Sequence, residues 1–505
     1  MGNRLSGVSM DARMWIGMAA ILLGVPAAIY GALPARLAAL DSQAGTNYEA
    51  PDSTSLNRWH ASVLATLILA LVIDVMKPAT LGFVLPGMAS EYGINKATVA
   101  WLPFVALVGT TIGSLFWGWL ADVYGRRVSI LLSTILFVST SICGAMPLFQ
   151  LNLLMCFLMG CSAGGMLPVV YTLLAEIMPP RHRSWVLVLV GGTGLIGGYL
   201  AASGAAHAFE PHFGWRVLWL QGFPTGILLL ALAPLIPESP RFLAEQGRDA
   251  ELEEMRRKFG IVERRREARL PADEATAAQN PGRLTAALVV TAVSWSLINF
   301  GLLLWLPIDL EARGYSSALA SGILASSAMI ALPTIGVAAW LYSRVSSKGT
   351  LVGTLVISFA GLVGALLPPP ILSSQSVLIA VIATLIVGTN SMIAVLLPYC
   401  AENSPLGVRG RATGLVAGGS KFGGVAVQSL ALVGFTPTLT GAALALLGPI
   451  ALSIALVGWI GRDTDLPPSE WSKINVILDH EGDWECHRRS TSRRRLSASC
   501  VRRRS

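Results

Sequence analysis

Stretches of about 20 apolar residues, the length that crosses a bilayer core as one helix, recur along almost the whole chain. They lie near residues 14–34, 60–86, 98–121, 128–147, 151–175, 185–206, 215–236, 284–308, 317–342, 349–369, 375–398, 410–434 and 438–460. Thirteen such windows in 505 residues cannot all be buried in soluble cores, and must face lipid. Composition agrees: only 13% of residues are charged, 53% are hydrophobic and the mean hydropathy is +0.61, whereas a soluble protein carries roughly 25% charge. A secreted disulfide scaffold, a soluble enzyme and a single-span receptor are excluded. The window at 14–34 is called helix 0 here and the others helices 1 to 12.

Between helices 6 and 7, the segment Pro237–Arg283 holds ten Lys or Arg and ten Asp or Glu and divides the windows six and six. The expected organisation is an N-terminal extension with an extra hydrophobic helix (1–59), a six-helix bundle (60–236), a charged central loop (237–283), a second six-helix bundle (284–460) and a basic tail (461–505). Counted over alternate loops, 28 Lys or Arg fall on the side of the central loop and tail, and three, Lys96, Arg216 and Arg313, on the other. Basic loops stay in the cytoplasm, so the central loop and C-terminus are expected there and helix 1 enters from that side. A cleaved signal peptide would reverse this order, so helix 0 is an added span or a membrane-surface helix. The +8 net charge comes from eight Arg after residue 486, a tail expected to be disordered or to lie on anionic lipid, and it implies no nucleic-acid partner. Arg248 to Glu274 has the charge pattern of a solvated helix.

The six cysteines occur singly, and Cys143, Cys156, Cys161 and Cys400 lie in hydrophobic segments. Neither disulfides nor a metal site is expected. No phosphate-binding loop or nucleotide-binding signature is present, which argues against an ATP-driven pump, and no cofactor and no covalent catalysis are expected.

Ala175-Glu176-x-x-Pro179-x-x-x-Arg183 recurs as Ala401-Glu402-x-x-Pro405-x-x-x-Arg409, and Gly192, Gly197 and Gly198 recur as Gly418, Gly423 and Gly424, all at an offset of 226. The two halves are therefore parallel repeats, as in transporters whose halves rock about a site near the midplane.

The loop after helix 2 reads Gly118-Trp-Leu-Ala-Asp122-Val-Tyr-Gly125-Arg126-Arg127. It resembles the signature loop of the major facilitator superfamily, and Pro237-Glu238-Ser239-Pro240-Arg241 is similar to a motif of its sugar porters and their aromatic-acid and organic-ion relatives. The resemblance covers about residues 60–460. It implies two parallel six-helix bundles, alternating access, a monomer, and a cytoplasmic gate of Gly118, Asp122, Gly125, Arg126, Arg127, Glu176, Arg183, Glu238, Arg241, Glu402 and Arg409, with Asp122 near the N-terminus of helix 11. The other reading of Arg126 and Arg127 is that they only hold the loop inside.

Three departures narrow the substrate. The helix 4 arginine of proton-coupled sugar porters is absent from Cys156-Phe-Leu-Met-Gly160, the paired glutamines of helix 7 are replaced in Trp295-Ser-Leu-Ile-Asn299, and Gly191-Gly-Thr-Gly-Leu-Ile-Gly197-Gly198 lacks the proline of drug antiporters. Sugars and drugs both lose support. Embedded charges cost at least about 2.5–3.5 kcal/mol each, so those present need a partner or a cavity. Asp74 and Lys77 lie three apart and can pair, with Pro78 weakening the helix beside them. Lys421, twelve residues or about 18 Å past Arg409, falls near mid-membrane, and resembles the helix 11 basic residue of the aromatic-acid and organic-ion branch. Asn299, Asn390 and Gln428 could add hydrogen bonds and Trp295 an apolar wall; structural roles for all of these are the plainer alternative.

The expectation is an integral plasma (inner) membrane transporter, not an enzyme. It would take up a small organic anion, such as an aromatic or carboxylic acid, together with protons, Asp74 being the coupling group and Lys77 or Lys421 its partner. A sugar, an exported drug, or a transporter-like sensor are the alternatives.

Overall fold

The structure, a computed structural model, describes residues 46–51, 54–265, 281–404, 409–435, 438–463, 484–487 and 499–502, with five isolated positions between 16 and 27. Apart from those five positions, helix 0 lies outside the described residues. Each of the twelve other windows is a helix: α1 (Arg58–Tyr92), α2 (Lys96–Tyr124), α3 (Arg126–Ser139), α4 (Phe149–Ile177), α5 (Pro180–Phe213), α6 (Val217–Leu235), α7 (Gly282–Ala312), α8 (Ser317–Arg344), α9 (Ser347–Gly364), α10 (Gln375–Asn403), α11 (Arg409–Leu432) and α12 (Leu439–Ile460). Eleven are long and apolar enough to cross a membrane. The exception is α3, whose α-helical part stops at Ser139 and continues as a 3₁₀ turn, Thr140–Ala145. The ammonium of Lys77 donates to the carbonyl of Phe137, the acceptor that the next α-helical turn would use, and the ladder changes there.

The packing repeats with a shift of six helices. α1 lies on α5 as α7 does on α11, α2 on α4 as α8 on α10, and α3 on α6 as α9 on α12. These are two parallel six-helix bundles. Gly109 and Gly113 of α2 approach the backbone of Phe157 and Cys161, while Gly160 and Gly164 of α4 approach that of Ala106 and Thr110; a side chain at any of these positions would separate the helices. Large apolar side chains such as Leu115, Trp119, Leu444, Leu452 and Trp459 point outward, as lipid-facing helices require.

The bundles meet at both ends. At the end carrying the central loop, Ser184 of α5 donates to Glu402 of α10 at 2.5 Å, and a Cβ at Gly192 would strike Ile335 of α8. At the opposite end, His207 of α5 contacts the carbonyl of Ala318 at 2.7 Å, and a Cβ on Gly82 of α1 would lie 2.7 Å from the carbonyl oxygen of Leu304 in α7.

The central segment is less solvated than its charge suggests. It forms the helices Pro240–Glu245 and Asp249–Phe259, and Leu252, Met255 and Phe259, spaced three and four apart, are buried against the first bundle. The helix expected to reach Glu274 ends at Phe259, where Gly260 adopts a φ of +68°. Strand β2 (Val262–Arg265) then pairs antiparallel with β1 (Thr46–Glu49), and Asn57 Nδ2 donates to the Lys258 carbonyl at 2.7 Å. In the tail, two further strands, Trp484–His487 and Ser499–Arg502, pair with each other, which departs from the expectation of disorder for those eight residues.

Candidate functional site

Midway along α1, Asp74 is 6% exposed and makes no hydrogen bond or direct ion pair among the described residues. The charge acting on it is Lys421 of α11, on the opposite bundle, and Asp74 is in turn the charge acting on Lys421. α1 presents Leu71, Val72, Val75 and Met76 to the glycines of α5, and Asp74 lies off that packed face.

Lys77 does not pair with Asp74. Its ammonium turns to α3, where besides the Phe137 carbonyl it donates to Thr140 Oγ1 at 2.6 Å and Ser141 Oγ at 3.1 Å, above the Phe137 ring at 4.4 Å. Spacing three residues apart brings Cβ atoms together, but a lysine has a long stem, and the hydroxyls of α3 take up its donors inside the first bundle. Pro78 lies within an uninterrupted α1.

Beside Lys421, α11 is pressed onto α7. A Cβ on Gly423 would lie 2.9 Å from the Val293 carbonyl oxygen and one on Gly424 2.7 Å from the Phe300 ring. Ser296 donates to the Ser420 carbonyl and Gln428 Nε2 to the Phe300 carbonyl at 2.7 Å. Trp295 is buried with its ring edge-on to Phe300, centroids 5.8 Å apart. Its Nε1 and the Gln428 Oε1 have no hydrogen-bond partner among the described residues. Asn390 sits on α10, which packs on both α7 and α11, and donates within its own helix to Ile386 at 3.1 Å.

Asn299 opens a feature that composition does not signal: residues Asn299–Leu303 form a π-helical turn, with the Leu304 N–H reaching back to the Asn299 carbonyl at 3.1 Å. Such turns insert one residue into an α-helix and often mark functional positions. Gly301 lies within the turn, against Val427 of α11.

The residues of the first bundle expected at the gate converge. Gly125 has a φ of +102°, a conformation that favours glycine, and a Cβ there would strike the Glu238 carboxylate. That carboxylate accepts the N–H groups of Arg126 (2.6 Å), Arg127 (3.3 Å) and Ser239 (2.9 Å), placing an anion at the positive N-terminus of α3. Burial pushes the Glu238 carboxyl above its ordinary range, against the pull of these donors and the Arg126 guanidinium. Arg126 also pairs with Asp122 at 3.0 Å and Glu176 at 3.4 Å. Asp122 has 75% of its side chain exposed and Arg126 as its ion-pair partner, and the side chain of Arg409 at the start of α11 lies outside the described residues. Gly118 faces open space. Arg241 pairs with Glu245 at 2.8 Å, a hydrogen bond that raises its already high pKa, and Arg183 reaches the Met178 carbonyl at 3.5 Å.

In the second bundle, Glu402, the repeat of Glu176, bonds to Tyr342 at 2.6 Å as well as to Ser184. One copy of the motif braces its own bundle; the other also crosses between bundles. Asp463 repeats Glu238: it accepts Ser346 Oγ at 2.6 Å and the Lys348 N–H at 3.1 Å at the start of α9. Glu238 and Asp463 are 225 residues apart, so the 226-residue repeat could have pointed to Asp463. At the opposite end, Arg216, in the turn between α5 and α6, is buried and pairs with Glu91 at 2.7 Å while Trp215 Nε1 donates to the same carboxylate at 2.9 Å.

Among curated proteins, the chain is 27% identical over 322 residues to the niacin transporter NiaP of Acinetobacter baylyi, covering 60% of this chain and 71% of that one. It is 27% identical over 413 residues to the 4-hydroxybenzoate transporter PcaK of the same organism, covering 76% and 86%. The fold superposes on the partially occluded inward-open conformation of the xylose transporter XylE from E. coli with a TM-score of 0.63 at 15% identity, covering 81% of this chain and 99% of that one. Residues 64–428 match the family described as Major Facilitator Superfamily, and this chain, a multi-pass membrane transporter and not an enzyme, belongs to that family.

Proposed function

We propose that the protein is a plasma-membrane transporter that takes up a small organic anion, an aromatic or carboxylic acid, together with protons. The observation that carries this reading is the position of Asp74, buried without a hydrogen bond, opposite Lys421 of the other bundle. The basic loop end is cytoplasmic on this reading, which divides the chain at residues 59, 236, 283 and 460.

An ammonium near mid-membrane is a receptor for a carboxylate. Trp295 and Phe300 supply aromatic surface on the adjoining α7, with Asn299 and Asn390 on the neighbouring helices as polar contacts. Substrate carboxylate arriving at Lys421 draws the ammonium from Asp74. The aspartate, left in a poorly solvated place, then takes up a proton, and both charges are neutralised before the bundles rock. Lys77 serves this arrangement by fixing α1 against α3. At the cytoplasmic end Glu238, Arg126, Glu176 and Asp122, with Gly118, Gly125 and Arg127 shaping their loop, form the gate. Ser184 and Glu402 tie it across the bundles, and Arg183, Arg241 and Arg409 flank it. The names of the relatives, which concern niacin and 4-hydroxybenzoate, support the substrate class.

The test is Asp74→Asn in sealed vesicles. Accumulation of 4-hydroxybenzoate driven by an imposed pH gradient is expected to be lost, while exchange at equal pH is retained. Undiminished accumulation would remove Asp74 from coupling, and uptake of sugars in place of aromatic acids would overturn the substrate class.

A further inference from the structure

A second feature lies toward the outer end of the crevice between the bundles. A cavity of about 60 Å³ is lined by Lys96 at the start of α2, by Gly301, Trp305 and Asp309 of α7, and by Val427 and Phe435 of and beyond α11. It spans the two bundles. Its floor is the contact of Gly301, inside the π-helical turn, with Val427, and Val427 is six residues, about 9 Å, along α11 from Lys421. The cavity thus stands on the outward approach to Lys421, separated from it by the α7–α11 contact.

Its charges are unequal in freedom. Three basic residues belong to this end, and two are committed: Arg216 to Glu91 at 2.7 Å and Arg313 to Asp309 at 2.8 Å. Both oxygens of Asp309 are in use, Oδ2 by Arg313 and Oδ1 by the Leu439 N–H at 3.3 Å. Lys96 has no ion pair within 4 Å among the described residues, and its side chain is exposed. An uncommitted ammonium beside two aromatic side chains is the chemistry that receives an aromatic carboxylate.

We propose that Lys96, Trp305 and Phe435 form an outer vestibule site that captures the anionic substrate before it reaches Lys421. The inference rests on the organic-anion reading above. About 60 Å³ holds one or two waters and not an aromatic ring, so the cavity is the closed remnant of this vestibule. It widens when α7 swings from α11 at the Gly301 contact, and refilling it by closure pushes the anion inward. A capture site raises the local concentration of substrate and leaves the later steps unchanged, and it is weakened by salt.

The experiment measures initial uptake of 4-hydroxybenzoate and of its uncharged amide into vesicles carrying wild type, Lys96→Gln, Lys96→Arg or Lys421→Gln. Lys96→Gln is expected to raise KM for the acid about fivefold with maximal rate within about twofold, to leave any amide uptake unchanged, and to lose the difference at high ionic strength; Lys96→Arg restores the wild-type KM. An unchanged KM in Lys96→Gln, with uptake abolished in Lys421→Gln, overturns the vestibule and leaves the organic-anion reading standing. If wild type transports no aromatic acid, that reading falls and the vestibule with it.

Discussion

The ammonium of Lys77, 1% exposed, is held by a carbonyl and two hydroxyls of α3. Its removal takes a charged donor from three buried acceptors, of which the Phe137 carbonyl keeps the Thr140 hydroxyl at 3.0 Å, at a cost of about 1–3 kcal/mol. Lys77→Met is expected to lower the Tm of the purified protein by several degrees while retaining pH-driven accumulation, measured by thermal shift and by vesicle uptake. Loss of coupling with an unchanged Tm would return Lys77 to the transport site. The difference from Asp74, three residues away, lies in their surroundings: the charge acting on Asp74 is Lys421 of the other bundle, and Lys77 donates to hydroxyls of its own bundle. Sequence spacing placed both charges in the membrane on one helix, and it could not say which of two lysines the carboxylate faces.

Helix α7 joins an α-helical part, Pro281–Ile298, to a short part, Leu306–Ala312, through the π-helical turn Asn299–Leu303. Just beyond that turn, α1 and α7 approach so closely that only the absence of a side chain on Gly82 admits the Leu304 carbonyl. Gly82→Val is therefore expected to hold the outer ends of α1 and α7 apart. Transport falls about 5- to 150-fold, as a cost of roughly 1–3 kcal/mol for overpacking implies, and a cysteine introduced at Leu304 becomes more reactive toward an impermeant thiol reagent from outside. Unaltered labelling together with normal uptake would show that this contact does not close the outer end. The turn itself was not legible, because a π insertion depends on how α7 is shared between the α11 and α1 contacts, and no local composition encodes that.

Across the whole molecule, Ser184 and Glu402 join the two bundles at the loop end. Cysteines at both positions, bridged by a short thiol cross-linker, are expected to abolish transport in a manner reversed by reductant, read as uptake before and after reduction; either single cysteine stays active. Transport that survives the bridge would mean that this end need not open. The architecture beneath this prediction was readable from the chain alone. Apolar windows of spanning length had to become helices because the bilayer offers backbone groups no other partner. The offset of 226 residues made the bundles repeats, and Gly125 with its neighbouring arginines announced the α3 loop. Only the tertiary structure decided the contacts: Lys77 on the hydroxyls of its own bundle and not on Asp74, Glu402 across the bundles while Glu176 stays within one, Arg216 buried on Glu91, and Glu238 at the N-terminus of α3. Hydrophobic periodicity is set by the solvent around each helix and is written locally. The partner of a charge is set by which helix packs beside it, and by how far a flexible side chain reaches once it is there.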